Sequence, residues 1–289
     1  MMSIVATWYG TVAIHLVANG RFGIFLDPYF ARPSDAFPHF KAAPDTVHLD
    51  PLDAILVSHS HFDHILNLPD LVRRYPSVHA YVPAPTVENC RRLCSGATFR
   101  HYRCEMTDAD WQRVHTITAG DSISRSSQDG SVKLRATAIK SEHVPFDAYS
   151  ILRGFSRPKL WQRWGHYSKY LFGFPKREVV GWDLHLTDHD DSRRIVFFGS
   201  LCKEYPEILS RHTGCDYFIV PLAGRRNILP HAMAMTQALR PKAVIPAHYD
   251  DFFPPISYFT DFRNYEEWLA LALPEVKLVR LAPEQPTAL

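Results

Sequence analysis

Three short apolar runs open the chain: Ile4-Val5-Ala6-Thr7-Trp8-Tyr9, then Val12 to Val17, then Gly23 to Asp27, broken at Gly10 and at Asn19-Gly20. Their length and the Asn-Gly pair, a hairpin marker, predict an antiparallel meander. After a loop rich in Pro and Asp from Arg32 to Asp53, the run Ala54 to Ser58 is apolar until it meets histidines. That is the pattern of a buried strand whose C-terminal end delivers polar groups to a cleft. A helix from Leu66 to Tyr75, a strand from His79 to Val82, a helix from Val87 to Leu93 and strands at Arg113 to Ile117 and Val132 to Ala138 follow. The second half repeats the logic, with buried strands at Arg194 to Phe198, Tyr217 to Val220 and Ala243 to Pro246 and a helix from Ala232 to Leu239. No repeat, low-complexity tract or linker interrupts the pattern, so one domain over 1–289 is expected.

One stretch departs from it. From Ile151 to Val180 the basic residues Arg153, Arg157, Lys159, Arg163, Lys169, Lys176 and Arg177 face Glu178 alone, interleaved with Phe155, Trp161, Trp164, Tyr167, Tyr170, Phe172 and Phe174. It reads as an insertion at about 151–180 that packs on the core, a reading preferred over contact with membrane lipid.

Composition narrows the class. With 46% hydrophobic and 13% aromatic residues in 289, the chain can bury a sizeable core. A net charge of +2 offers no extended tract for a polyanion, so no nucleic-acid partner is expected. The five cysteines, at 90, 94, 104, 202 and 215, lack paired metal or redox spacing, and Cys90 and Cys94 read as small buried residues; a reduced, cytoplasmic setting fits. Neither a signal peptide nor a membrane span of roughly 18 apolar residues is read from the chain.

The chemistry concentrates in His59-Ser60-His61-Phe62-Asp63-His64, three imidazoles and a carboxylate in six residues directly after a buried strand. In an extended segment positions i and i+2 project to one side, so His59 and His61 can grip one ion. A helical turn after them presents Asp63 and His64 to a neighbouring point, which suggests two adjacent sites. Such N/O ligands suit zinc and also manganese or iron, and a catalytic site keeps positions open for water. A loop of surface histidines is the competing reading, and the rarity of histidine weighs against it.

These residues match, in order, the His-x-His-x-Asp-His motif of the metallo-β-lactamase superfamily, and the resemblance covers nearly the whole chain. It implies a four-layer αβ/βα sandwich of the α/β class, two mixed sheets face to face with helices outside. It implies one metal held by His59, His61 and His143 and another by Asp63, His64 and His248. Asp27, in Leu26-Asp27-Pro28-Tyr29, would support the ligand loop without touching metal. The text around Asp27 and His248 looks most like the branch containing ascorbate-6-phosphate lactonases and N-acylphosphatidylethanolamine phospholipase D. One departure stands out: where many members carry an Asp bridging both metals, this chain reads Phe197-Phe198-Gly199-Ser200. A neutral hydroxyl is a poor bridging ligand, which leaves one metal, or two of unequal affinity.

The implied function is a hydrolase using metal-activated water on a small anionic ester, lactone or phosphoester, with Asp63 orienting the water and accepting its proton. Arg225 and Arg226, after the strand ending near Pro221, are candidates to fork onto the anionic group. The alternatives are a phosphodiesterase on phospholipid or nucleotide substrates and a non-catalytic metal-binding protein. A homo-oligomer is compatible with either.

Overall fold

The computed structural model describes residues 2–43, 45–99, 104–145, 148–175, 178–189, 191–200, 209–223 and 227–289. Strands β1 (Ile4–Trp8), β2 (Ile14–Ala18) and β3 (Phe22–Leu26) form the expected meander, and β3 then pairs in parallel with β4 (Ala54–Leu56), which leads into the one-turn helix α1 (Phe62–Ile65). β5 (His79–Pro83) and β6 (Val114–Ile117), the latter preceded by α4 (Asp108–Gln112), continue in parallel, and the short C-terminal β14 (Thr287–Ala288) closes the other edge on β1. The second sheet runs β7 (Ser122–Ser126), β8 (Val132–Ser141), β9 (Val179–Asp188), β10 (Asp191–Phe198), β11 (Tyr217–Pro221), β12 (Ala243–Ala247) and β13 (Lys277–Leu278), in that spatial order. Each sheet thus has seven strands and mixes parallel with antiparallel pairs.

Period-two burial decides how the layers stack. Ile4, Ala6, Trp8, Leu16, Leu26 and Leu56 from one sheet meet Leu134, Trp182, Leu184, Ile195, Phe197 and Ile245 from the other in a central core. Phe25, Ile55, Val57, Ala80 and Val82 turn to the opposite face, where they pack with Leu68, Leu71 and Val72 of α2 (Leu68–Arg74) and with Cys90 and Leu93 of α3 (Ala84–Cys94). Val196, Phe218, Val220 and Val244 do the same against α8 (Ile228–Leu239) and α9 (Arg263–Ala272). The result is helix, sheet, sheet, helix. Each large apolar side chain buried in it contributes about 1.5–3 kcal/mol.

Between β8 and β9 the chain forms three helices, α5 (Ala148–Phe155), α6 (Pro158–Gln162) and α7 (Trp164–Gly173). Tyr167, Tyr170 and Phe174 from this insertion pack on Phe62, Phe99 and Phe253. Relative to the expected 151–180 the inserted segment begins and ends earlier: its first helix starts at Ala148, and Val179 and Val180 already belong to β9, a central strand in which Val180, Trp182, Leu184 and Leu186 face inward and alternate with Asp183, His185 and Thr187. Cys90, Cys94, Cys104 and Cys215 are free thiols, and Cys202 lies outside the described residues.

Among the described residues no helix is long and apolar enough to cross a membrane.

Candidate metal centre

Every candidate ligand follows the C-terminal end of a strand. His59 and His61 follow β4, His143 follows β8 and His248 follows β12, while Asp27 closes β3 and Ser200 follows β10. The sheets are stitched together at this end. The Val180 N–H donates to the Ser58 carbonyl at 2.9 Å, Trp182 Nε1–H to that of Val57 at 3.1 Å, and the His248 N–H to that of Thr11 at 2.7 Å. Separate stretches of chain therefore arrive at one point.

They form two groups of donors. One ligand atom from each of His59, His61 and His143 lies within 4.8 Å of the others, and the same holds for Asp63, His64 and His248. The groups are adjacent, with the His59 and His64 ring centroids 3.9 Å apart. In the first, His59 Nε2 faces His61 Nδ1 at 3.2 Å, and in the second Asp63 Oδ2 lies 3.4 Å from His64 Nε2 and 3.3 Å from His248 Nε2. Two imidazole nitrogens turned on one another, with a third ring beside them, are what a shared cation would hold together.

Buried partners set the tautomers. Asp27, fully buried, accepts from the Ser58 N–H (2.7 Å), from Ser58 Oγ–H (2.6 Å) and from His64 Nδ1 (2.7 Å). Because Ser58 Oγ gives its proton to Asp27, it accepts from His59 Nδ1 at 3.0 Å, so that Nε2 of His59 keeps its lone pair for the site. His143 Nδ1 donates to the Val144 carbonyl at 2.6 Å, with the same consequence. Asp27 itself sits at φ 42°, a left-handed conformation that Asp tolerates better than most residues.

The electrostatics favour a cation. Burial, then the neighbouring imidazoles of His64, His61, His143 and His248, push the His59 pKa well below the usual imidazole value and keep the ring neutral. Burial works against ionisation of Asp63, but His64 and His248 outweigh it and hold its carboxyl well below the carboxylate range. Burial would also lower His64; Asp63 and Asp27 instead raise it to about 10, which marks a position where a positive charge is wanted. Ligands that must be deprotonated and a site that attracts positive charge are the two halves of metal affinity.

Ser200 takes a different part from the one a bridging ligand would play. Its Oγ accepts from the Val144 N–H at 3.0 Å and so anchors the loop that carries His143. Both groups border a cavity of about 120 Å³ lined chiefly by Phe62, Val144, Tyr170, Phe252, Phe253 and Ile256, with Ser257 and Thr260 adding hydroxyls.

The comparisons bear on the same residues. The family model described as the beta-lactamase superfamily domain matches residues 24–249, from the strand before Asp27 to the residue after His248. The chain belongs to the beta-lactamase superfamily. A metal-dependent hydrolase of Polynucleobacter asymbioticus is 23% identical over 247 residues, covering 84% of this chain and 73% of that protein. A metallo hydrolase of the archaeon Ignicoccus hospitalis superposes with a TM-score of 0.64 at 15% identity, covering 99% of this chain and 98% of that one. CmlA, a diiron β-hydroxylase of Streptomyces venezuelae, superposes with a TM-score of 0.55 at 13% identity, covering 99% of this chain and 54% of that one. At these identities the structural likenesses speak to the fold alone.

All six expected ligands thus meet in two groups, and Asp27 and Ser200 lie beside them as supports. Arg225 and Arg226 lie outside the described residues. Sequence reasoning missed Ser58, Thr11, Asp250 and Arg32. Ser58 stood in view as the last residue of the strand run; Thr11 and Arg32 have no local signal, because their roles exist only once the sheets close.

Proposed function

We propose that the chain hydrolyses a small ester, lactone or phosphoester whose apolar portion occupies the aromatic cavity. The observation that supports it most is the opening of both donor groups onto a cavity lined by Phe62, Tyr170, Phe252 and Phe253. His59, His61 and His143 would hold one metal ion, and Asp63, His64 and His248 a second of lower affinity, since Ser200 offers a neutral hydroxyl, bonded to the Val144 N–H, in place of a bridging carboxylate. Bound zinc, manganese or iron would supply Lewis acidity toward water and toward the substrate's carbonyl or phosphoryl oxygen.

The chain's own residues do the rest. Asp63, an ionised carboxylate set between His64 and His248, orients the attacking water and takes its proton. The aromatic walls exclude bulk water, which strengthens every charge interaction inside. The described lining includes no Lys or Arg, and Arg225 and Arg226 remain the proposed partners of an anionic substituent on the strength of the sequence.

The test is a panel of carboxylic esters, lactones, phosphomonoesters and phosphodiesters offered to protein reconstituted with zinc or manganese, alongside elemental analysis. Turnover of one class that disappears in His61→Ala together with the bound metal is expected. Stoichiometric metal without turnover of any class above the free-metal background would make the chain a metal-binding protein without catalysis.

A further inference from the structure

We propose that the outer face of the α5–α7 insertion is a docking surface for an anionic lipid bilayer, with the cavity mouth turned toward it. The insertion was expected to pack on the core, and half of it does. Tyr167 and Phe174 are buried. The other half is exposed: Leu152, Phe155, Trp161 and Phe172 keep between 41% and 70% of their surface in solvent. These are not scattered. Phe155, Trp161, Trp164 and Phe172 form a continuous strip, with successive ring centroids 5.5, 5.4 and 6.3 Å apart.

The strip sits at the entrance to the site. Tyr170 and Leu171 line the cavity and Phe172, the next residue, faces out. Arg153 lays its guanidinium over the ring of Tyr258, another lining residue, at 4.9 Å. Beside Tyr258 the exposed Phe259 packs on the exposed Phe37, with centroids 5.7 Å apart. Of the seven large apolar side chains exposed among the described residues, only Leu271 lies away from the insertion or this adjoining loop. A contiguous apolar patch of this kind marks an interaction site.

Charge selects the occupant. Residues 148–175 carry five basic and no acidic side chains. Lys159 is paired with Asp35, while Arg157, Arg163 and Lys169 are exposed among the aromatics. Aromatic rings with interleaved Arg and Lys suit the headgroup region of an anionic leaflet, where rings sit at the boundary and cations meet phosphate. A second copy fits less well, because a two-fold interface sets the same patch against itself and would bring these cations together.

The surface is separable from the hydrolase reading, and one experiment distinguishes them. The full-length, metal-reconstituted protein is sedimented with vesicles of phosphatidylcholine alone and of phosphatidylcholine with phosphatidylglycerol, and hydrolysis of water-soluble esters is followed in parallel. Binding should be about tenfold stronger to the anionic vesicles and weaken as salt is raised. It should fall about tenfold in Phe155→Ser/Trp161→Ser/Phe172→Ser and in Arg157→Gln/Arg163→Gln/Lys169→Gln. Equal sedimentation with both vesicle types, or full binding by the triple serine variant, overturns the proposal. So does a dimer in gel filtration that the serine variant dissociates, which would give the patch to a second copy. Vesicle binding without any turnover removes the hydrolase reading and keeps the surface; turnover without vesicle binding does the reverse.

Discussion

Asp27 Oδ2 lies 2.7 Å from Nδ1 of His64, both side chains buried, and that one carboxylate also takes two hydrogen bonds from Ser58. It therefore fixes a ligand of each donor group, His64 directly and His59 through Ser58. Replacement by Asn keeps the volume and removes the charge. Asp27→Asn should weaken metal binding by about 10- to 100-fold, the usual effect of losing such a partner. Competition with a chromogenic chelator measures it, and an unchanged affinity would mean that Asp27 only shapes the turn after β3.

Gly199 is required by contact rather than by turn geometry. A Cβ there would fall 1.9 Å from Ser58 Oγ and 2.7 Å from Asp27 Oδ2, so the end of β10 can approach the Asp27–Ser58 pair only without a side chain. Gly199→Ala should cost about 1–3 kcal/mol of stability through overpacking and lower metal affinity at the same time. Gly214, with nothing within 4 Å of its added Cβ, makes a poor control because of its φ of 74°, whereas Gly165, open on both counts, makes a good one. If Gly199→Ala and Gly165→Ala melt alike and bind metal alike, the contact does not matter.

How much of this could be read in advance follows from where each signal lives. The motif from His59 to His64 is local, and a buried strand running straight into it identifies both the cleft and the ligands. His143 carries a weak local signal and gains weight only from its order along the chain, whereas His248 directly follows the apolar run Ala243 to Pro246, as a strand-end ligand does. β9 hid because the exposed His185 and Thr187 and the buried, Arg194-paired Asp183 occupy one face, although Val180, Trp182, Leu184 and Leu186 keep strict alternation on the other. The serine at 200 invited a question about a missing bridge. What Ser200 does instead, holding Val144, is a contact across 56 residues that no pattern in the chain encodes. The same is true of the exposed aromatic strip, since the insertion's composition alone does not tell which rings pack and which face outward.

His15 makes stability depend on pH at a distance from the metal centre. Its Nε2 bonds the Pro51 carbonyl at 2.8 Å, and burial, against the smaller raising effects of that carbonyl and of Asp50, lowers its pKa to about 4. An unfolded histidine titrates near 6.5. Between those values the unfolded chain takes up a proton that the folded one refuses, so this contribution is complete above the unfolded pKa and is lost as pH falls toward 4. The slope approaches about 1.4 kcal/mol per pH unit. Denaturant unfolding at pH 7 and at pH 5 should show wild type losing more stability than His15→Gln on acidification. Equal losses would show that His15 does not titrate differently in the two states.

The last prediction concerns a buried pair behind His248. Asp250 accepts from the Thr11 N–H at 3.1 and 3.0 Å and pairs with Arg32 at 2.6 Å, and the Thr11 carbonyl receives the His248 N–H. Thr11 and His248 both stand at left-handed φ values, 48° and 56°, which cost of order 1 kcal/mol each and persist only because these bonds hold them. The pair itself is almost completely enclosed. Removing one partner of such a pair leaves the other charge uncompensated, so Asp250→Asn should destabilise the fold by about 3–5 kcal/mol. Asp250→Asn/Arg32→Met removes both charges and should recover most of that stability. It should not recover the metal site, because an amide holds Thr11 less firmly and His248 is positioned through Thr11. Thermal melts and metal stoichiometry on the two variants separate these effects. A double variant that regains full second-site occupancy would show that His248 is placed by the β12 backbone alone.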